Sequence, residues 1–392
     1  MNKSPRLVLC LASLLPLAAF AVYAPIPEQD QGKALTYRLG ASLYHDSNIF
    51  GAATGEVDSM VYNLSGGIAY NGSLSDQTFL SASYDLNYDH VADRPGKKNL
   101  TSHTLALRVA HSFSKSTNID VSERYMISKN PQSLLAGVPL NADQSFKMNE
   151  FNVRFATAAG QKTGLTFKYR NMSMAYDTAT LAAQLDRMEN LFGIEANFAF
   201  LPETKLVGEY RYQDIAYDTS GSTKDKQSHF LLAGVDYNPA QEITLSGRAG
   251  FEDRTREGAP DATSPYMEFS ARYTYAEGSF FAGGVAYAIE EPSDTTRFTD
   301  SKVTRLFANV QHRLSGPLTL SSSFTLEPAK LQGRTGQANI DETTLRFGLA
   351  LSWTPTKNWA MTANYDRDHV ASDDNSRDQE RGRYGVSARF SF

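Results

Sequence analysis

The sequence predicts an all-β protein: a transmembrane, antiparallel, up-and-down β-barrel of about eighteen strands, with sixteen as the competing count. Three observations carry this expectation. Segments of about ten residues alternate apolar and polar side chains along most of the chain. The connections between them alternate short and long. The composition joins 22 Phe, 20 Tyr and 2 Trp to a chain that is polar on average. A membrane barrel produces that combination, because only every second strand position has to be apolar.

Composition also removes other classes. Past the N-terminus no apolar run reaches the ~20 residues that a membrane-spanning helix needs. The 38 basic and 43 acidic residues, net charge −5, argue against a nucleic-acid binder. The 392 residues are too few for a plugged transporter of roughly 22 strands.

Residues 1–24 read as a cleaved secretory signal. Lys3 and Arg6 precede an apolar stretch over 7–22, and Val22-Tyr23-Ala24 offers a small-x-small cut after Ala24. Cys10, the single cysteine, lies in that stretch. Leu9 is too large to precede a lipidated cysteine. The exported chain therefore crosses an oxidising compartment with no disulfide to form or misform. A short periplasmic segment, 25–33, is expected next, and the barrel from 34 to 392.

Alternation places strands at 34–44, 60–70, 78–90, 102–113, 118–128, 146–158, 164–175, 187–201, 205–217, 228–238, 243–254, 265–276, 280–290, 303–314, 318–326, 342–354, 359–370 and 383–392. In 78–90, Leu80, Ala82, Tyr84, Leu86 and Tyr88 share one face; Ser81, Ser83, Asp85, Asn87 and Asp89 share the other. One strand breaks the pattern, for Glu123 in 118–128 lands on the apolar face. Connections after even-numbered strands are mostly short, as at 202–204 and 239–242. Those after odd-numbered strands are mostly long and polar: 91–101, 129–145, 218–227, 255–264, 291–302, 327–341 and 371–382. Short periplasmic turns and long extracellular loops have this parity, and a two-sheet sandwich has no reason for it.

The last decamer alternates Tyr384, Val386, Ala388, Phe390 and a terminal Phe392. It resembles the C-terminal signal by which the barrel-assembly machinery takes up bacterial outer-membrane barrels. Tyr70, Tyr88, Tyr176, Tyr217, Tyr237, Tyr273, Tyr275, Trp353, Trp359 and Tyr365 are assigned to aromatic girdles at the membrane–water boundary.

The polar parity should line the lumen. Its cations are Arg38, Arg108, Arg124, Arg154, Lys168, Arg170, Arg211, Arg248, Arg272, Arg305, Arg346, Arg383 and Arg389. Its anions are Asp85, Asp120, Glu195, Glu209, Asp236, Glu252, Glu268 and Asp366. Acid–base pairs on neighbouring strands would brace the wall. The basic remainder would favour anions, since rings of Arg or Lys select them in pores. No cofactor, metal site or enzymatic activity is expected. The histidines (His45, His90, His103, His111, His229, His312, His369) lack ligand spacing, and no nucleophile elbow or phosphate loop appears.

Tyr44-His45-Asp46-Ser47-Asn48-Ile49-Phe50 resembles the aromatic-x-Asp-x-Asn-aliphatic-aromatic signature of a family of outer-membrane β-barrels. That family is found at exopolysaccharide synthesis and export loci, including exosortase-linked ones. His45 stands where the family often has an acid. The resemblance implies polymer passage across the outer membrane and transfers no catalytic residue. Physically, Asp46 and Asn48 are suited to order the loop through side-chain-to-backbone turns, with Ile49 and Phe50 packing at the rim.

The leading functional expectation is a bacterial outer-membrane conduit exporting an exopolysaccharide. One alternative is a general, anion- or sugar-preferring diffusion porin, with the apolar 129–145 loop (Leu134, Leu135, Val138, Leu140) as constriction. A second is a barrel-anchored enzyme or adhesin. Expected partners are outer-membrane lipid and lipopolysaccharide, the assembly machinery, periplasmic polysaccharide-export proteins and the polysaccharide itself, with no nucleic acid.

Overall fold

A computed structural model describes residues 34–128, 145–219 and 223–392. The signal at 1–24, the segment 25–33 and nearly all of the 129–145 loop lie outside the described residues. Within them run eighteen strands. The first nine are β1 (Leu35–Asp46), β2 (Ser59–Ser75), β3 (Thr78–Val91), β4 (Asn99–Ser112), β5 (Asn118–Ser128), β6 (Phe146–Ala158), β7 (Thr163–Tyr176), β8 (Arg187–Leu201) and β9 (Thr204–Tyr217). The rest are β10 (Lys226–Ala240), β11 (Ile243–Arg256), β12 (Ala262–Ala276), β13 (Ser279–Glu290), β14 (Phe298–Arg313), β15 (Leu318–Gly333), β16 (Ile340–Trp353), β17 (Trp359–Ser372) and β18 (Gln379–Ser391).

Each strand pairs antiparallel with its sequence neighbours, and β1 pairs with both β2 and β18. The sheet is thus a closed barrel with no free edge to template aggregation. Eighteen strands exclude the sixteen-strand count. Connection length sorts by parity as expected: Asp76–Gln77 joins β2 to β3, whereas 47–58 joins β1 to β2.

Side-chain parity separates the two faces. On β1, Leu35, Tyr37, Leu39 and Leu43 are exposed, and Arg38 and Asp46 take the other face. The polar face is the concave one. Arg211 on β9 donates to Tyr266 Oη at 3.1 Å and to Glu268 at 3.3 Å, both on β12. Side chains three strands apart converge only on the inside of a curved sheet. The apolar face looks outward, as a barrel in lipid requires.

Strands run further at the loop end than the alternation indicates. β14 begins at Phe298 rather than 303, and β15 continues to Gly333 rather than 326. A short helix, α1 (Ala179–Leu185), was not expected between β7 and β8. Small apolar cores fill the inner face beneath the loops. Phe146, Met148, Tyr176 and Leu185 form one, and Phe298, Val303, Ala329 and Leu331 another.

Two girdle assignments are corrected. Tyr176 packs in the first of those cores, and Tyr217 is buried with its hydroxyl donating to Glu291 at 2.6 Å. Both sit on the inward parity of their strands, with Lys168 and Arg211 respectively. Closeness to a strand end does not turn a side chain outward; parity does. Tyr88, Tyr237, Tyr273, Tyr275, Trp353, Trp359 and Tyr365 are exposed on the outer face.

The C-terminal decamer closes the cylinder. Tyr37 and Phe392 exchange backbone hydrogen bonds of 2.9 and 3.0 Å, and their rings stack at 5.2 Å. Tyr384, Val386 and Phe392 are exposed on the outer face.

Candidate functional site

The inner wall is built by register. Directly opposed residues in an antiparallel pair share a face. Arg38 opposes Gly67, which opposes Asp85; Arg108 opposes Ser81; Arg154 opposes Asp120 and Lys168. Followed around the barrel, this register puts every lumen residue expected from the sequence on the inward face, through Glu195, Arg248, Glu252, Arg272, Arg305, Arg346, Asp366, Arg383 and Arg389.

Most of them are neutralised. Arg108 forks onto Asp120 (2.6–3.1 Å), and Arg248 onto Asp236 (2.8 and 3.1 Å). Lys168 bridges Glu195 and Glu209 at 2.8 and 2.9 Å. Arg305 holds Glu327 at 2.5 Å and Glu290 at 2.9 Å. Arg38 reaches over β2 to Asp85 at 2.8 Å. That reach requires Gly67, where a Cβ would sit 2.3 Å from the Asp85 carboxylate. Such fixed bidentate pairs stiffen the wall more than exposed pairs would.

Four inward arginines form no ion pair among the described residues: Arg124, Arg154, Arg272 and Arg389. Arg124 contacts Met126 Sδ at 3.7 Å, and Arg272 lies 3.8 Å from the Phe280 ring centroid. Arg389 stands beside Arg38, a like charge. Arg154, Arg272 and Arg389 all sit within a few residues of the short-turn end of β6, β12 and β18. These strands are spread around the ring. The turn-side half of the lumen is therefore studded with uncompensated positive charge.

The loop-side half has the opposite character. Arg254 is 2 % exposed and binds Glu252, Glu291 and Asp300 at 2.8–3.0 Å. Lys226 joins it through Glu291 at 2.6 Å. Burial pushes the Glu291 carboxyl up, but the Lys226 and Arg254 charges outweigh it and hold it at about 2. None of Lys226, Arg254, Glu291 and Asp300 was expected from the sequence. Arg254 ends the expected strand 243–254 on the inward parity, and Lys226 keeps that parity one step before the expected start at 228, so the alternation reaches both. Glu291 lies in the following loop and Asp300 beside a register shift in β14, where parity does not reach.

Above this cluster the loops interlock. Thr295 Oγ1 donates to the Gln184 carbonyl (2.9 Å), and Lys224 Nζ to Ala183 O (3.2 Å). Arg334 donates to the Thr295 carbonyl (2.8 Å), and Arg297 to Asp374 (2.7 Å). Loops that leave the barrel at β7, β9, β13, β15 and β17 thereby form one canopy over part of the mouth, with the loop after β13 bonded to those after β7, β15 and β17. The Ser376 hydroxyl and then Arg297 bond the Asp374 carboxylate and lower it to about 2. Burial beside Arg334 lowers the Lys224 ammonium.

The Tyr44–Phe50 motif is a structural seam. Asp46 accepts from Arg381 on β18 at 2.5–3.1 Å and from the Asn48 backbone at 3.1 Å. Asn48, fully buried, exchanges bonds with the Ala52 backbone and donates to Glu380 O at 3.0 Å. Ile49 packs on Val61, Val91 and Leu100, with Tyr44 and Phe50 against the cluster. His45, Asp46, Ser47 and Asn48 thus join the first strand to the last, while Tyr44, Ile49 and Phe50 pack against β2–β4.

All seven histidines fall on the outer parity. Three meet tyrosine hydroxyls: His103 with Tyr84 and His229 with Tyr210 at 2.8 Å, and His312 with Tyr275 at 2.9 Å. No family model matches the chain, and no curated protein matches it in sequence. Solved structures similar to it are barrels. The outer-membrane protein opdK of Pseudomonas aeruginosa is 12% identical (TM-score 0.49), over 91% of this chain and 99% of that one. The siderophore receptor PirA of the same organism is 8% identical (TM-score 0.48), over 93% and 81%. The FrpB iron transporter of Neisseria meningitidis is 11% identical (TM-score 0.47), over 87% and 62%.

Proposed function

We propose that this barrel is an outer-membrane channel for anionic, hydroxyl-rich solutes, and that its cargo is an exopolysaccharide. The observation that carries the anion preference is the turn-side set Arg154, Arg272 and Arg389, with Arg124 at mid-wall, none of them in an ion pair. If the short turns face the periplasm, as in other barrels of this kind, that set meets a polymer arriving from inside the cell envelope. Positive charge on a low-dielectric wall concentrates anions without needing a tight site. The polysaccharide assignment rests on the resemblance of the Tyr44–Phe50 segment, whose residues here serve the seam and touch no lumen path.

Two measurements separate the parts. In planar bilayers under a salt gradient the channel should show an anion-selective reversal potential. The triple change Arg154→Ser, Arg272→Ser, Arg389→Ser should shift it toward cations. Cation preference in the unaltered protein refutes the proposed wall. Deletion of the gene should abolish extracellular polymer while precursors accumulate. Normal polymer secretion refutes the cargo and leaves an anion-preferring porin.

A further inference from the structure

Among the described residues the outer face carries one ionisable side chain at mid-strand, where a lipid-facing wall should have none. On β5 the outward residues are Ile119, Val121, Glu123, Tyr125 and Ile127, so Glu123 has apolar neighbours on both sides along its strand. Across the sheet it opposes Leu107 on β4 and Phe151 on β6. Other outward charges, such as Asp214, Asp253 and Arg367, lie toward the loop ends, where a strand leaves the apolar belt. Glu123 is exposed, and its one bond among the described residues is from Asn149 Nδ2 at 3.2 Å. Asn149 faces outward as well. The polar patch continues onto β7 and β8, where Asn171 Nδ2 and Tyr169 Oη donate to Asn190 Oδ1 at 2.9 and 3.0 Å.

Hydrocarbon tails cannot bond these groups, and a charge in such a place marks a functional contact by default. We propose that the β5–β8 face is where a second copy of this chain docks, side by side in the membrane. The patch is chemically self-complementary. A carboxylate has about four acceptor sites and an amide two donor hydrogens. Glu123 uses one acceptor and Asn149 one donor within the chain. A two-fold axis along the membrane normal keeps every residue at its own height, so two such faces meet with like depths opposed. Each Glu123 then accepts from the other copy's Asn149, and neither copy leaves a carboxylate in lipid.

The test uses the full-length chain in lipid nanodiscs with Cys10→Ser as background. Native mass spectrometry should show an oligomer. Phe151→Cys, inside the patch, should form a disulfide-linked dimer, while Leu349→Cys on β16, away from it, should not. Glu123→Leu should give monomers whose barrel stays folded, judged by retained heat-modifiable migration, and Glu123→Gln should keep association. A monomeric unaltered protein overturns the proposal. So does an oligomer unaffected by Glu123→Leu, or a Phe151→Cys adduct containing a different protein or lipid A.

Discussion

Asp46 and Arg381 are each 2 % exposed and sit on the two strands whose pairing closes the cylinder. Removing one partner strands the other's charge away from water, which costs about 3–5 kcal/mol for a buried pair. Asp46→Ala should therefore destabilise the barrel by about that much. Denaturant unfolding in micelles, followed by the fluorescence of Trp353 and Trp359, measures it. A loss under ~1 kcal/mol would show that water reaches Arg381, as for a surface pair. Asn48→Ala, which orphans the Ala52 amide, should cost about 1–3 kcal/mol. Neither change should alter ion selectivity, because both residues hold the seam and line no path. An altered reversal potential would move the motif from scaffold to site.

At the scale of the element, period-two alternation made the wall legible. Lys168, Glu209 and Arg211 declared their face from sequence alone because a strand has no other way to place them. Strand ends were less legible. Barrel strands outrun the bilayer, and past its boundary nothing forces the outer face to be apolar, as Asp253 and Thr255 show on β11. The contrast that marks a strand fades there, and Lys226, two residues before the expected start of β10, is lost with it. The canopy was invisible for a further reason: its bonds, such as Thr295 to Gln184, join segments far apart in sequence. Its pH response follows from two carboxylates. In the closed canopy Glu291 and Asp374 titrate at about 2. In an open, solvated loop they return to the ordinary range near ~4. The closed state thus binds fewer protons, and its advantage is complete above ~4 and lost as pH falls through about 2. Single-channel conductance should rise between pH 4 and 2 (about the span between the two states). Replacing α1 by a Gly-Ser linker should raise it already at neutral pH. A flat profile together with unchanged conductance in the linker variant would mean the canopy leaves the path open.

Over the whole molecule, charge is sorted by depth: the loop-side cluster is compensated and roofed, whereas arginines without an ion pair among the described residues stand at the turn side beside paired ones such as Arg108 and Arg248. The ionic-strength dependence of selectivity distinguishes how those arginines act. Charges on the wall of a wide lumen work through the solution between wall and ion, so mobile salt screens them. The Debye length is ~10 Å at 0.1 M and ~3 Å at 1 M. An eighteen-stranded barrel is wide enough to hold a water-filled channel, so at 1 M much of its cross-section lies beyond the reach of the wall. Anion preference should be clear at 0.1 M and largely gone at 1 M, with the triple Arg→Ser variant near neutral at both. Reversal potentials at a fixed concentration ratio, taken at the two mean salt levels, measure this. Selectivity that persists at 1 M would instead require anions to strip water and touch Arg154, Arg272 or Arg389 directly. The arginines would then line a narrow binding site, and a long polymer would pass in contact with them rather than through a charged but open bore.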